Sequence, residues 1–205
     1  MIFGQTIHWA SAGVSLVFGY LLGSIPFGLF FAWIAGAGDV RNIGSGSIGA
    51  TNVLRTGKYW AAAATLLFDA AKGAAAVLIA AAFYGKVGAV SAALGAFLGH
   101  LFPIWLGFKG GKGIATALGV SLALSWPAAL VMLATWIVSV AIWRISSLAA
   151  LIAAVVAPLY MYYFAGSLYA VLMVILAVLA VIAHRANIAR LLKGTEPRIG
   201  AKTTT

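Results

Sequence analysis

The sequence has no cysteine among its 205 residues and only three acidic residues. Without cysteine the chain forms no disulfide, offers no thiolate nucleophile and builds no zinc–thiolate site. Charged residues make up 8% of the chain, whereas soluble domains average about 25%. Because 64% of the residues are hydrophobic, the composition predicts an integral membrane protein and not a water-soluble domain.

The charge is almost all of one sign, with 13 Lys and Arg residues and a formal net charge of +10. In a soluble protein such a balance would suggest nucleic acid as the partner. Here the cations lie between apolar segments, so anionic lipid headgroups or a phosphorylated substrate fit better, and we predict no nucleic-acid binding.

Long apolar segments alternate with charged or Gly/Pro-rich connections, which is typical of a bundle of short transmembrane helices. We predict an all-α membrane protein that forms a single transmembrane domain over residues 1–205. The seven predicted spans are roughly 13–35, 60–83, 87–106, 114–126, 127–143, 148–164 and 168–184.

The basic residues predict the orientation of these spans. If each segment crosses once, Lys86 lies on one side, Lys72 lies within a span, and the other 11 of the 13 cations, Lys202 included, lie on the opposite side. Short connections rich in Lys and Arg stay cytoplasmic, so we expect the amino terminus outside and the carboxyl terminus in the cytoplasm.

The segment 114–143 allows two interpretations, because only Ser125-Trp126-Pro127 interrupts thirty apolar residues. One continuous helix would be about 45 Å long and would need a steep tilt. Two helices would each be short, but they keep Lys112 and Arg144 on the same face. We therefore predict two helices with a turn near Pro127.

The first polar motif runs from Arg41 to Arg55 and reads RNIGSGSIGATNVLR. Its glycines permit tight turns that bring backbone N–H groups close to an anion. Ser45 and Asn52 add neutral hydrogen-bonding groups, and Arg55 adds a planar guanidinium suited to phosphate. The alternative is a flexible loop whose arginines only set the topology, but the density of glycines, hydroxyls and amides favours an anion site.

A second motif, FKGGKGIAT, leads into a predicted helix at 108–116. Lys109 and Lys112 together with the helix N-terminus are suited to phosphate. The motif is not a Walker A loop, because its spacing differs and no strand precedes it. An ordinary basic turn at the cytoplasmic face explains the same residues equally well.

The third motif follows the last predicted span and contains His184-Arg-Ala-Asn187 and Gly194-Thr-Glu196. Residues three apart share a helix face, so we expect His184 and Asn187 to point the same way. A neutral imidazole is suited to general-base catalysis, although a histidine at a membrane interface is more often structural. Glu196 is a candidate for tying the tail to a basic element.

Asp69 and Lys72 lie three residues apart inside the second predicted span. Charges at membrane depth are costly and are expected to pair within the bundle. Because this is the only such pair, we predict a structural ion pair rather than a proton or ion relay. His100 is a candidate either for helix packing or for the cytoplasmic face.

The combined motifs resemble the PlsY family, the acyl-phosphate-dependent glycerol-3-phosphate acyltransferases of bacteria. The resemblance covers most of the chain and is carried by the order of six short motifs. The family usually has asparagine where this chain has Ser47, so Ser47 is not counted as a site residue. The motifs are GSGSIGATN at 44–52 with Arg55, DAAKG at 69–73, GHLFP at 99–103 with FKGGKG at 108–113, and HRAN at 184–187 with GTE at 194–196.

The resemblance implies a seven-helix enzyme of the bacterial inner membrane with its active site facing the cytoplasm. It implies acyl transfer from acyl phosphate to the 1-hydroxyl of glycerol 3-phosphate, giving lysophosphatidic acid and phosphate, with no cofactor and no metal. The implied catalytic residues are Ser45, Arg55, His184 and Asn187. We predict as substrate- and phosphate-binding residues Asn52, Gly110, Gly111, Lys112, Gly113 and Ser147, of which the resemblance implies Lys112 and Ser147. Asp69, Lys72 and Glu196 are predicted to be structural.

Two alternatives concern the chemistry. Direct transfer is favoured over a serine acyl-enzyme, because the sequence shows no base and orienting acid for Ser45. The base is either His184 or the phosphate of the substrate itself, whose second pKa lies near about 6.

Two other functions compete with the transferase, a permease for a phosphorylated metabolite or anionic lipid and a non-catalytic scaffold. Transporter sites usually lie near the middle of the membrane, whereas the glycine-rich basic motifs lie at one face.

Overall fold

The computed structural model describes residues 9–200, and all regular elements in that range are helical, as predicted. Lys202 lies outside the described residues. Two short 3-10 turns lie at Val40–Asn42 and Ile104–Leu106. The α-helices are α1 (Trp9–Gly23), α2 (Phe27–Ile34), α3 (Ala50–Leu54), α4 (Tyr59–Leu101), α5 (Ile114–Leu124), α6 (Trp126–Trp143), α7 (Ser146–Ala165), α8 (Ser167–Ala183) and α9 (Arg185–Leu192).

Several of these helices are long and apolar enough to cross a membrane. In residues 9–200 four segments qualify by length and composition, and the bent pair α8–α9 is a fifth candidate, with 62° between its helices. The number of crossings and the orientation of the termini stay predictions. The four segments are Trp9–Ile34, Tyr59–Leu106, Trp126–Trp143 and Ser146–Ala165.

The first predicted span, 13–35, corresponds to the apolar segment Trp9–Ile34, but it is not one continuous helix. The structure divides it into α1 and α2, with a break at residues 24–26. Pro26 causes the break because it lacks an N–H donor and disfavours helical geometry at the residue before it.

Helix α4 is a hairpin that contains the second and third predicted spans. As one straight helix its 43 residues would be about 65 Å long. Gly85 interrupts it with a φ of 59° and a ψ of −147°. The chain then folds back so closely that a Cβ on Gly88 would overlap the carbonyl oxygen of Ala80. The hairpin ends at Leu101, before the predicted residue 106, because Pro103 follows.

Small residues allow α1 to lie directly against the second half of α4. A Cβ on Gly19 would overlap the Ala92 backbone, and one turn later a Cβ on Gly23 would overlap the Ala96 backbone. Both residue numbers rise together, so the two segments run parallel. Small residues four apart are the usual means of close helix packing in membranes.

The chain divides into two compact units, and the boundary lies between Leu124 and Ser125. Ser125 is extended, with a φ of −161°, so the 114–143 segment consists of two helices, as predicted. In the second unit α7 packs against both α6 and α8. The prediction of one transmembrane domain over 1–205 stays a prediction.

Candidate active site

In the first unit, the loop between α2 and α4 is organised around the buried amide of Asn52. Its Nδ2 donates to the carbonyl oxygens of Val40 at 2.7 Å and Ser47 at 2.8 Å. Its Oδ1 accepts from the backbone N–H of Ser45 at 3.1 Å, the Ser45 hydroxyl at 3.4 Å and the Arg55 Nη1 at 3.4 Å. One neutral side chain therefore brings together Ser45 and Arg55, two predicted catalytic residues.

Gly44 allows this loop to pass close to the side chain of Arg55. It has a φ of +55°, a conformation that favours glycine. A Cβ at this position would lie 2.7 Å from both the Arg55 Nη1 and the Asn52 Oδ1. Any larger residue here would displace the guanidinium from its place.

The two arginines that bound the loop differ in their partners. Arg41 forms an exposed ion pair with Asp39, in which Nη2 and Oδ2 lie 2.6 Å apart. The hydrogen bonds from Arg41 hold the pKa of the Asp39 carboxyl below its usual value. Arg55 is also exposed, but its contact with Asn52 is with a neutral oxygen. That contact holds the guanidinium without compensating its charge.

The glycine loop, residues 109–113, lies across the end of α4. The N–H groups of Gly110 and Gly111 donate to the carbonyl oxygens of Leu101 and His100, each at 3.0 Å. These are carbonyls of the last helical turn, which have no partner within the helix. These two N–H groups are therefore used in hydrogen bonds within the protein. Lys112 is half-buried in the same loop and is the candidate for binding phosphate.

A buried charge cluster lies in α4, where Asp69, Lys72 and His100 are each at most 3% exposed. Lys72 Nζ lies 2.6 Å from Asp69 Oδ1 and donates to the carbonyl oxygen of Ile25 at 2.9 Å. The predicted ion pair is confirmed. His100 Nδ1 lies 3.6 Å from the same Asp69 oxygen.

In the second unit, Glu196 is the centre of another polar cluster. Its Oε1 accepts from the Ser147 hydroxyl at 2.7 Å and from the Asn187 Nδ2 at 2.6 Å, and its Oε2 accepts from the Arg190 Nε at 2.7 Å. Burial alone would raise the pKa of Glu196, but the hydrogen bonds from Ser147, Asn187 and Arg190 have the larger combined effect, and the pKa lies below its usual value. The tail is thereby tied to α7 and α9 by an ionised carboxylate.

That His184 and Asn187 share one helix face stays a prediction. His184 lies at the junction of α8 and α9 and is buried. Its ring Nδ1 lies 2.8 Å from the carbonyl oxygen of Ala180. A carbonyl only accepts, so Nδ1 carries the proton and a neutral ring has its lone pair on Nε2. The backbone N–H of His184 donates to the carbonyl oxygens of Ala180 and Val181, so the ring and the backbone of His184 both contact the end of α8.

The structure thus brings the predicted residues together in separate groups. Ser45, Asn52 and Arg55 meet in the first unit, and Ser147, Asn187 and Glu196 meet in the second. The sequence interpretation missed Arg190 as a partner of Glu196, although Arg190 lies one helical turn after Asn187. It also missed that His100 supports the glycine loop, because a backbone acceptor leaves no signal in a motif.

A family model described as glycerol-3-phosphate acyltransferase matches residues 13–194. A glycerol-3-phosphate acyltransferase of Brucella anthropi is 60% identical over 188 residues, covering 92% of this chain and 93% of the relative. One of Mesorhizobium japonicum is 61% identical over 189 residues, covering 92% and 96%.

Two solved structures of PlsY, described as an integral membrane glycerol 3-phosphate acyltransferase, are similar to this fold. The glycerol 3-phosphate form has a TM-score of 0.87 at 38% identity, and the lysophosphatidic acid form has 0.85 at 37%. Each comparison covers 93% of this chain and 96% of the solved chain. The protein is therefore a multi-pass membrane protein that belongs to the PlsY-type glycerol-3-phosphate acyltransferase family.

Proposed function

We propose that the protein transfers a fatty acyl group from acyl phosphate to the 1-hydroxyl of glycerol 3-phosphate, at the cytoplasmic face of the bacterial inner membrane. The products are lysophosphatidic acid and inorganic phosphate. Family membership supports the reaction class, and the two ligand forms of the solved PlsY relatives support the acceptor and the product. The motifs that resemble the family support acyl phosphate as donor.

The observation that carries this proposal is the contact of Arg55 with a neutral amide. Donor and acceptor are both anions, so their approach is opposed by charge repulsion. A guanidinium that an amide oxygen positions, as Asn52 Oδ1 does for Arg55, is suited to binding phosphate through charge-assisted hydrogen bonds. Lys112 adds a second cation from the glycine loop, and Gly110, Gly111 and Gly113 allow that loop to approach α4 closely.

The transfer itself needs little covalent help, because acyl phosphate is an activated anhydride. The acceptor's hydroxyl oxygen attacks the acyl carbon and forms the ester. The acyl–phosphate C–O bond breaks, and phosphate leaves with the bonding pair. Positioning and charge stabilisation then account for most of the catalysis.

Direct transfer is supported by the environment of Ser45. Its hydroxyl donates to the amide oxygen of Asn52, and an amide oxygen is too weak a base to take the proton of a nucleophile. Ser45 in this arrangement binds or orients a substrate. It lacks the activation that a serine acyl-enzyme requires.

The proton of the attacking hydroxyl goes either to His184 or to the substrate phosphate. The protonated Nδ1 of His184 leaves Nε2 as the basic nitrogen of a neutral ring. Turnover by His184→Ala and Arg55→Ala separates the two cases. Near-normal turnover of His184→Ala with loss in Arg55→Ala would exclude the histidine base, whereas loss in both variants supports it.

The test of function uses purified protein in detergent micelles with acyl phosphate and glycerol 3-phosphate. Release of inorganic phosphate only when both substrates are present supports the transferase. A permease would instead move a phosphorylated solute across liposomes without releasing phosphate. That outcome would overturn the proposal.

A further inference from the structure

We propose that His100 is a positioning residue for the glycine loop, residues 109–113. Its carbonyl and imidazole fix Gly111, and the Asp69–Lys72 pair lies beside the imidazole on its other edge. The inference rests on the proposed function, in which Lys112 of this loop binds substrate phosphate. His100 itself touches no substrate in this scheme and acts through the loop.

Gly111 contacts His100 in two ways. Its N–H donates to the His100 carbonyl oxygen at 3.0 Å. Its Cα also lies so close to the imidazole that an added Cβ would overlap Nε2, with Cε1 at 2.8 Å. His100 therefore defines both the position of the loop backbone and the space available to it. Lys112 is the next residue, so a shift of Gly111 moves Lys112 as well.

The opposite edge of the imidazole lies beside buried charges. Its Nδ1 lies 3.6 Å from Asp69 Oδ1, and the Lys72 ammonium lies 2.6 Å from the same oxygen. Lys72 also donates to the Ile25 carbonyl at the α1–α2 break. The ring is thus enclosed on one edge by an ion pair and on the other by the glycine loop. It has no room to turn without displacing one of them.

This arrangement predicts an effect on substrate binding as well as on folding. Misplacing a binding group by about 1 Å is sufficient to lower catalysis by about 100-fold. A displaced Lys112 should weaken binding of the phosphorylated acceptor more than it changes the chemical step. The signature is a raised KM for glycerol 3-phosphate with a smaller change in kcat.

The test is a double-mutant cycle with Gly111→Ala and His100→Ala, measured in detergent micelles. Gly111→Ala should raise the KM for glycerol 3-phosphate by about 10-fold or more, because its methyl group overlaps the ring. The double variant has no imidazole for the added methyl group to overlap. The KM of the double variant should therefore lie within about three-fold of the KM of His100→Ala alone. Gly13→Ala is the matched control, because a Cβ there meets nothing within 4 Å, and it should leave KM and kcat unchanged.

His100→Asn provides a second variant that keeps a polar group near Asp69, and it should retain more affinity than His100→Ala. If His100→Ala does not fold, the cycle is run with His100→Asn in its place. The inference is overturned if the two substitutions act independently, so that their effects on KM multiply in the double variant. It is also overturned if a His100 variant has lower thermal stability but an unchanged KM. Lys112→Ala separates this inference from the proposed function. An unchanged KM for glycerol 3-phosphate in that variant would reject the role of Lys112 in binding phosphate. The coupling between His100 and Gly111 would still be seen in the thermal stability of the double-mutant cycle.

Discussion

Two polar clusters in this protein are built alike but differ in charge. In the first unit the neutral Asn52 hydrogen-bonds to Ser45 and Arg55. In the second unit the carboxylate of Glu196 hydrogen-bonds to Ser147, Asn187 and Arg190. Each centre is a buried side chain that organises a loop or tail.

The difference lies in what each centre does to its arginine. Glu196 compensates the charge of Arg190 in an ion pair of 2.7 Å, which favours a structural role. Asn52 contacts Arg55 through a neutral oxygen, so the centre of this cluster places no negative charge beside the guanidinium. A polar cluster with an amide at its centre is therefore suited to binding phosphate, and one with a carboxylate is suited to stabilising the fold.

The largest expected effect separates the two arginines. Arg55→Ala should lower kcat/KM by about 100-fold or more, because a charge-assisted contact to phosphate is lost. Thermal stability should change little, since Arg55 is exposed. Arg190→Ala is the matched control, with a clear loss of thermal stability and a smaller loss of kcat/KM. The reverse pattern would refute the comparison.

Asn52→Asp makes the first cluster resemble the second. A carboxylate beside Arg55 competes with the substrate for the guanidinium, so we expect kcat/KM to fall by about 10- to 100-fold. Asn52→Ala loses the same donated hydrogen bonds without adding a charge. Equal losses in both variants would show that the charge of the centre does not matter.

Glu196→Gln tests the second cluster by removing its charge at nearly constant volume. The amide keeps an acceptor but presents a donor to Arg190, so we expect unfolding to become easier by about 1–3 kcal/mol. Thermal unfolding in detergent measures this effect. A variant as stable as the parent would show that the carboxylate is not needed to hold the tail.

The lowered pKa of Glu196 predicts a pH dependence of stability. A carboxyl whose folded pKa lies below its unfolded value stabilises the protein above the unfolded pKa. That contribution is lost as the pH falls from about 5 towards the folded pKa. The parent should therefore lose more thermal stability in this range than Glu196→Gln does, and parallel curves would contradict the assignment.

The smallest effect is expected at the exposed Asp39–Arg41 pair. Surface ion pairs contribute little, because water and salt screen them. Asp39→Asn should leave thermal stability and kcat/KM within experimental error. A large loss of activity would show that Arg41 has to be neutralised for Arg55 to act.

Local rules predicted much of this structure. Helical composition followed from the apolar runs. Keeping Lys112 and Arg144 on one face predicted a turn near Pro127, and the structure has the break at Ser125. The Asp69–Lys72 pair followed from the cost of burying an isolated charge. Each of these inferences depends only on neighbouring residues or on charge counts.

Other features depend on contacts that no local pattern reports. The hydrogen bond from Gly111 to the His100 carbonyl involves backbone atoms alone, so the motif does not show that this N–H is already engaged. The contact between the His184 ring and the Ala180 carbonyl is likewise one that helical spacing does not report. Pro26 marks the break between α1 and α2, but the prediction of a span over 13–35 followed only the length of the apolar run.

The central claim is direct transfer by charge positioning, and a single-turnover experiment with labelled acyl phosphate tests it most directly. Without glycerol 3-phosphate, the account predicts neither a burst of inorganic phosphate nor label on the protein. Addition of glycerol 3-phosphate should then give equal amounts of lysophosphatidic acid and phosphate. A phosphate burst with an acyl group bound to Ser45 in the absence of acceptor would contradict the account.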